Sequence, residues 1–115
     1  MSKKRLETIV EKIELINEVL KMFDNSITKA LKNDIYGRPS IMMHLVALAE
    51  QFDKLKNDNA FEILMNYDKE DLKGAYDVRN FIAHDYDGVN IVIIEMIIRE
   101  KLPQIHQITK KLLAS

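Results

Sequence analysis

The chain of 115 residues has no cysteine and no tryptophan, three glycines, two prolines and a formal charge of −1 from 17 basic and 18 acidic side chains. Without cysteine there is no disulfide framework, no thiolate metal site and no thiol nucleophile, which fits a reducing cytoplasm. The near balance of charge gives no overall pull towards nucleic acid, so RNA would have to meet a local basic site. Few glycines and prolines mean few strong turn signals, and long helices are the natural outcome. No apolar run reaches the roughly 18 residues of a membrane span. The longest, Val89 to Ile98, is interrupted by Asn90 and Glu95. The start, Met1-Ser2-Lys3-Lys4-Arg5, leads into a charged amphipathic pattern rather than the apolar core of a signal peptide, so a cytoplasmic location is expected. GxSxG, P-loop, dinucleotide and HExxH motifs are all missing, and no cofactor or metal is expected.

What is present is helical periodicity. From Lys3 to Phe23 the apolar residues Leu6, Ile9, Val10, Ile13, Ile16, Val19, Leu20 and Phe23 recur at threes and fours. Asp24-Asn25-Ser26 interrupts with cap-type residues before a short segment around Ile27 to Leu31. Asn33 to Ser40 reads as a loop containing Gly37 and Pro39, with Ser40 as cap of a helix running to about Lys56 through Met43, Val46, Leu48, Ala49, Phe52 and Leu55. After a turn at Lys56 to Asn59, Phe61, Leu64 and Met65 make one or two helical turns. A further helix starts near Lys69, with Glu70 and Asp71 in its favourable first turn. Asp85-Tyr86-Asp87-Gly88 should stop it, Gly88 being able to take a left-handed backbone. Val89 to Leu102 is β-branched but too long for a strand and reads as a buried helix, kinked or restarted at Pro103. Together these predict one all-α domain over residues 1–115, an antiparallel bundle of about four main helices with short extra ones.

The densest chemistry lies in Arg79-Asn80-Phe81-Ile82-Ala83-His84-Asp85-Tyr86. Histidine titrates near neutrality and moves protons there, while arginine offers a planar fork of donors to a phosphate. His84 could therefore assist attack by a 2′-hydroxyl or protonate the leaving group, with Arg79 holding the phosphate as its charge rises. Asn80 could orient His84 or bind phosphate. In a regular helix, however, Arg79 and His84 point about 140° apart. One phosphate could meet both only if the helix ended near His84 or a second subunit completed the site. The plainer reading pairs Arg79 with Asp77 or Glu95 and leaves His84 as a helix end. His44 and His106 have no carboxylate at an evident ligand spacing, and Glu50 reads as a solvated helix carboxylate. Lys3-Lys4-Arg5 and Lys110-Lys111 read as solvated ends, although neighbouring terminal helices would make them a basic edge.

The same eight residues resemble the R-N-x-x-x-H-x-Y signature of the HEPN superfamily and of its HepT-like toxins, with every signature position filled. Asp87 and Lys101-Leu102-Pro103-Gln104-Ile105 are similar to that family's last helices, so the likeness covers residues 69–105 well and the rest loosely. It implies a HEPN-like helical fold and a metal-independent ribonuclease acting on RNA as a homodimer whose Arg-His motifs share a cleft. Arg79 and His84 would be catalytic, with Asn80 in support. The implied partner is a minimal nucleotidyltransferase antitoxin that transfers AMP to Tyr86, adding bulk and negative charge beside Arg79. A non-catalytic HEPN module that binds such a nucleotidyltransferase, or presents substrate to it, is the alternative. One departure is Leu48-Ala49-Glu50-Gln51, where the family often has Gly-Glu-Ala.

Overall fold

The structure, a computed structural model, describes residues 2–115. Seven α-helices follow one another: α1 (Ser2–Lys21), α2 (Ile27–Lys32), α3 (Gly37–Asn57), α4 (Phe61–Leu64), α5 (Lys69–His84), α6 (Ile91–Met96) and α7 (Leu102–Ala114). A 3₁₀ turn at Tyr86–Gly88 follows α5, and a π-helical turn at Ile97–Lys101 joins α6 to α7. The main bundle elements are therefore α1, α3, α5 and the near-continuous α6–α7 rod, an all-α bundle as the periodicity predicts. α1 packs on α3 and α7, and α3 carries α5 on another side.

The three-and-four spacing of α1 puts Leu6, Ile9, Ile13, Ile16, Val19 and Leu20 into the core, where they meet Leu31, Ile41, Met42 and Leu55. Asp24 and Asn25 turn the chain back with φ of 58° and 59°, the left-handed region that asparagine and aspartate tolerate. Ser26 then caps α2 by accepting from Lys29 N–H. A second layer is pinned by Tyr67, whose ring meets Phe52 edge-on at a centroid distance of 5.0 Å. The Tyr67 hydroxyl lies 2.7 Å from Thr109 Oγ1, which itself donates to the Ile105 carbonyl. Thr109 has one hydroxyl proton, so Tyr67 is the donor between them.

Several local expectations are corrected. Gly37-Arg38-Pro39 is the first turn of α3, because a proline there lacks only an amide hydrogen that no helical carbonyl would have accepted. Ser40 lies inside that helix, and Asn33 serves as the cap instead, its Oδ1 accepting from Tyr36 and Gly37 N–H at 2.8 and 3.0 Å. Met43 points into solvent. The segment from Val89 is not buried all round: Ile94 and Ile98 face the core while Val92 and Ile93 are exposed. Pro103 does not break this rod. It has no amide hydrogen for the Arg99 carbonyl, and the preceding turn widens so that Leu102 N–H reaches back five residues to the Ile97 carbonyl. No helix of the described residues is long and apolar enough to cross a membrane.

Candidate active site

α5 is a regular helix from Lys69 to His84, with Glu70 and Asp71 in its first turn and His84 at its last residue. The stop is built by the residues that follow. Asp85 leaves helical geometry at φ −152°, its N–H still bonded to the Phe81 carbonyl at 2.9 Å, and its carboxylate accepts from Gly88 N–H at 3.1 Å. Gly88 does not adopt a left-handed backbone, contrary to expectation. A Cβ there would lie 2.1 Å from Asp85 Oδ2, so any larger residue requires that carboxylate to move. Asn90 then caps α6 through Val92 N–H at 2.9 Å.

His84 is exposed and, among the described residues, makes no hydrogen bond or ion pair. Arg79 is half-buried on the flank of α5 that faces α3, where its Nη1 lies 3.6 Å from Asp53 Oδ2. This partner is neither of those suggested by sequence proximity. Glu95 instead accepts from Thr28 at 2.8 Å and from Arg99, contacts that hold its carboxyl below the usual range. Asn80 is half-buried and makes no side-chain hydrogen bond among the described residues, so it does not orient His84 here. Tyr86 is about one-third exposed, with its hydroxyl unbonded among the described residues. Because α5 stays helical through His84, the step of about 140° between Arg79 and His84 stands, and one chain alone does not turn them to a common point.

The other histidines lie elsewhere. His106 Nε2 is 3.2 Å from Glu14 Oε2 on α1, a pairing across the fold that sequence spacing cannot reveal. His44 is half-buried on α3, and burial, then the charge of Lys12, lowers its pKa while Glu11 opposes. Glu50 is half-buried and unpaired among the described residues. No group of three or more His, Asp or Glu side chains among those residues is placed to hold a metal ion.

Sequence reading also missed a groove of about 500 Å³ between α3, α5 and the α6–α7 rod. Leu45, Leu48, Val78 and Ile94 form its floor, while Phe81, Gly88 and Val89 bring it to the edge of the Arg79–Tyr86 stretch. At its far end Asp71 is almost completely buried, with neither oxygen in hydrogen-bond geometry, and Lys101 Nζ lies 3.3 Å away as its ionic partner. The Asp71 carboxylate raises the Lys101 pKa, with Glu70 and Asp68 adding to the effect and desolvation opposing it. Apolar spacing at 74, 78 and 81 on α5 was the one available signal for this groove, and it reads equally well as core.

Compared with known protein families, residues 2–112 match the family described as Ribonuclease HepT-like. The chain belongs to the HepT-like ribonuclease family. No curated protein matches it. No solved structure matches it either. Nearly the whole HepT-like chain is covered by the match, from α1 into α7, so the Arg79–Tyr86 stretch lies within a full-length HepT-like domain rather than in a short coincident motif.

Proposed function

We propose that this HepT-like chain is a metal-independent endoribonuclease toxin whose activity a nucleotidyltransferase antitoxin restrains. The observation that carries the reading is His84 itself, an exposed imidazole at a helix end with no partner among the described residues and therefore open to a substrate proton. His84 takes the proton of a ribose 2′-hydroxyl, whose oxygen attacks the adjacent phosphorus. The 5′-oxygen departs with a proton from a second acid, leaving a 2′,3′-cyclic phosphate. Arg79, held by one weak ionic contact, has donors free for the phosphate oxygens as their charge rises. Asn80 is near enough in sequence to add a further donor.

The angular separation of Arg79 and His84 supports a homodimer in which each phosphate meets groups from both copies, the second His84 serving as the acid. Tyr86 fits as the regulated position, since its side chain is partly exposed and its hydroxyl is unbonded among the described residues. Attack of that oxygen on the α-phosphorus of ATP, with pyrophosphate leaving, would place an anionic AMP beside the cleaving groups and repel RNA. RNA and ATP as the two proposed substrates fit a cytoplasmic location.

Purified protein should cleave RNA in EDTA to products ending in cyclic phosphate, and His84→Ala should lower the rate by about 10²-fold or more while leaving helicity intact. Cleavage unchanged in that variant refutes the role of His84. A wild-type chain that is inert towards RNA yet binds the nucleotidyltransferase would establish the non-catalytic reading. Mass spectrometry of the chain incubated with its antitoxin and ATP should find one AMP, on Tyr86.

A further inference from the structure

The groove beside the candidate site is not explained by phosphate chemistry. Its half nearest His84 has three properties that belong together. Phe81 is 65 % exposed, unusual for a phenylalanine on a packed helix, and forms part of the groove wall. Asp77, four residues earlier on the same face of α5, also lines the groove and has no ion pair or hydrogen bond among the described residues. Opposite them the rod presents Ile93 and Met96, both partly exposed.

We propose that this half of the groove is a nucleobase pocket, and that it selects guanine next to the phosphate being cleaved. The inference rests on the ribonuclease reading above. Single-stranded RNA is read by stacking splayed bases on aromatic rings and hydrogen-bonding their Watson–Crick edges. Phe81 supplies the ring, and Ile93 and Met96 supply an apolar opposite wall. Asp77 supplies a carboxylate, an acceptor only, whose two oxygens match two adjacent N–H donors. Guanine alone among the four bases carries such a pair, at N1 and N2. Adenine and cytosine offer a single exocyclic amine beside an acceptor nitrogen that the carboxylate repels, and uracil offers one N–H between two carbonyls.

Spacing along α5 decides which carboxylate serves. Asp77 and Phe81 are about 6 Å apart along the axis at 1.5 Å per residue, the scale of one base. Asp71 precedes Phe81 by about 15 Å on the same measure and is already committed to Lys101, so it cannot touch the base that Phe81 stacks. His84 lies about 4.5 Å beyond Phe81 and roughly 60° round the helix, within the reach of the sugar and phosphate of the same nucleotide.

Two other occupants are separable from this one. A second copy of the chain could cover the groove, and so could an apolar segment of another protein. Either would bury the Asp77 carboxylate, which has no ion pair among the described residues, against an apolar surface, and that cost disfavours both.

The test uses the full chain and a set of RNA oligonucleotides that differ only at the bases flanking one cleavable bond. The wild type should cut the guanine-containing members at least tenfold faster in kcat/KM. Asp77→Asn should abolish that preference, because an amide presents a donor where guanine needs an acceptor. Phe81→Ala should lower kcat/KM about tenfold on every oligonucleotide and Phe81→Tyr should restore it, since stacking serves any base. NMR titration with GMP, compared with AMP, CMP and UMP, supplies a readout free of catalysis: shifts at Asp77, Phe81 and Ile93 with GMP at the lowest concentration support the pocket. Equal cutting of all sequences, a preference unaltered in Asp77→Asn, or a Phe81→Ala effect traced by sedimentation to loss of a dimer each overturn it. An inert wild type that still binds GMP in the groove would instead refute the ribonuclease reading and leave the pocket standing.

Discussion

α1 runs for 20 residues and buries Leu6, Ile9, Ile13, Ile16, Val19 and Leu20. α5 runs for 16 and buries only Val78, Ile82 and a carboxylate, Asp71, while Tyr76, Phe81 and His84 face solvent. The two helices have similar amphipathic patterns, yet only one is fixed mainly by its apolar face. α5 is fixed by its ends as well, by the Asp71–Lys101 pair near its start and by the Asp85–Gly88 turn at its finish. The difference teaches where function can be placed. A helix whose position depends on a narrow seam and two anchored ends leaves most of its surface free for a substrate.

That contrast breaks most readily by truncation. Ile9 is completely buried, so Ile9→Ala should cost about 2–5 kcal/mol and lower Tm by more than about 10 °C. Tyr76→Ser on the open face of α5 should stay within about 0.5 kcal/mol. Denaturant unfolding of the two variants measures both. Equal losses would mean that the open face of α5 is covered in solution and that the contrast between the two helices does not hold.

The anchored end of α5 gives the next effect. In Gly88→Ala the new methyl would collide with the Asp85 carboxylate, which must swing away and give up its bond from the Gly88 N–H, while that N–H keeps the Asp85 carbonyl at 3.1 Å, at a cost of about 1 kcal/mol. If that collision is the cause, adding Asp85→Ala to Gly88→Ala should remove part of the loss, and thermal unfolding of the single and double variants checks it. Further from α5, Tyr67→Phe should cost about 1 kcal/mol, less than the truncation at Ile9, because Thr109 keeps its bond to the Ile105 carbonyl.

Much of this architecture was legible in the residues. The apolar positions of α1 and the span of α5, including its stop at His84, follow from 3.6-residue periodicity and from the turn chemistry of Asp85 to Gly88. The start of α3 was misread because Gly37 and Pro39 punctuate loops and helix first turns alike, and only the bonds from Asn33 decide between them. The π turn was invisible because it depends on how one rod absorbs Pro103 while both of its halves stay packed. At the candidate site the residue types could be read, and their 140° separation followed from helical geometry. Asp53 beside Arg79, Asp71 with Lys101 and the groove between α5 and the rod are contacts between helices distant in sequence. No periodicity in one segment encodes which residue of another it will meet.

The smallest expected effect separates α3 from α5 by pH. His44 on α3 is half-buried, and burial, together with Lys12 on α1, lowers its pKa, while Glu11 on the same helix pulls the other way. The neutral imidazole is therefore the form the fold prefers. A depressed folded pKa means that the contribution to stability is present above the ordinary value of 6.5 and is lost as pH falls through the lowered one. Tm should consequently decline slightly between pH 7 and pH 5. His44→Gln, which cannot gain that proton, should flatten the decline. Glu95, whose carboxyl is held low by Thr28 and Arg99, loses its own contribution only at more acidic pH, below its ordinary value of 4.5, and so does not mask the histidine window. A decline of unchanged slope in His44→Gln would show that another group, on the open side of the molecule, takes up the proton.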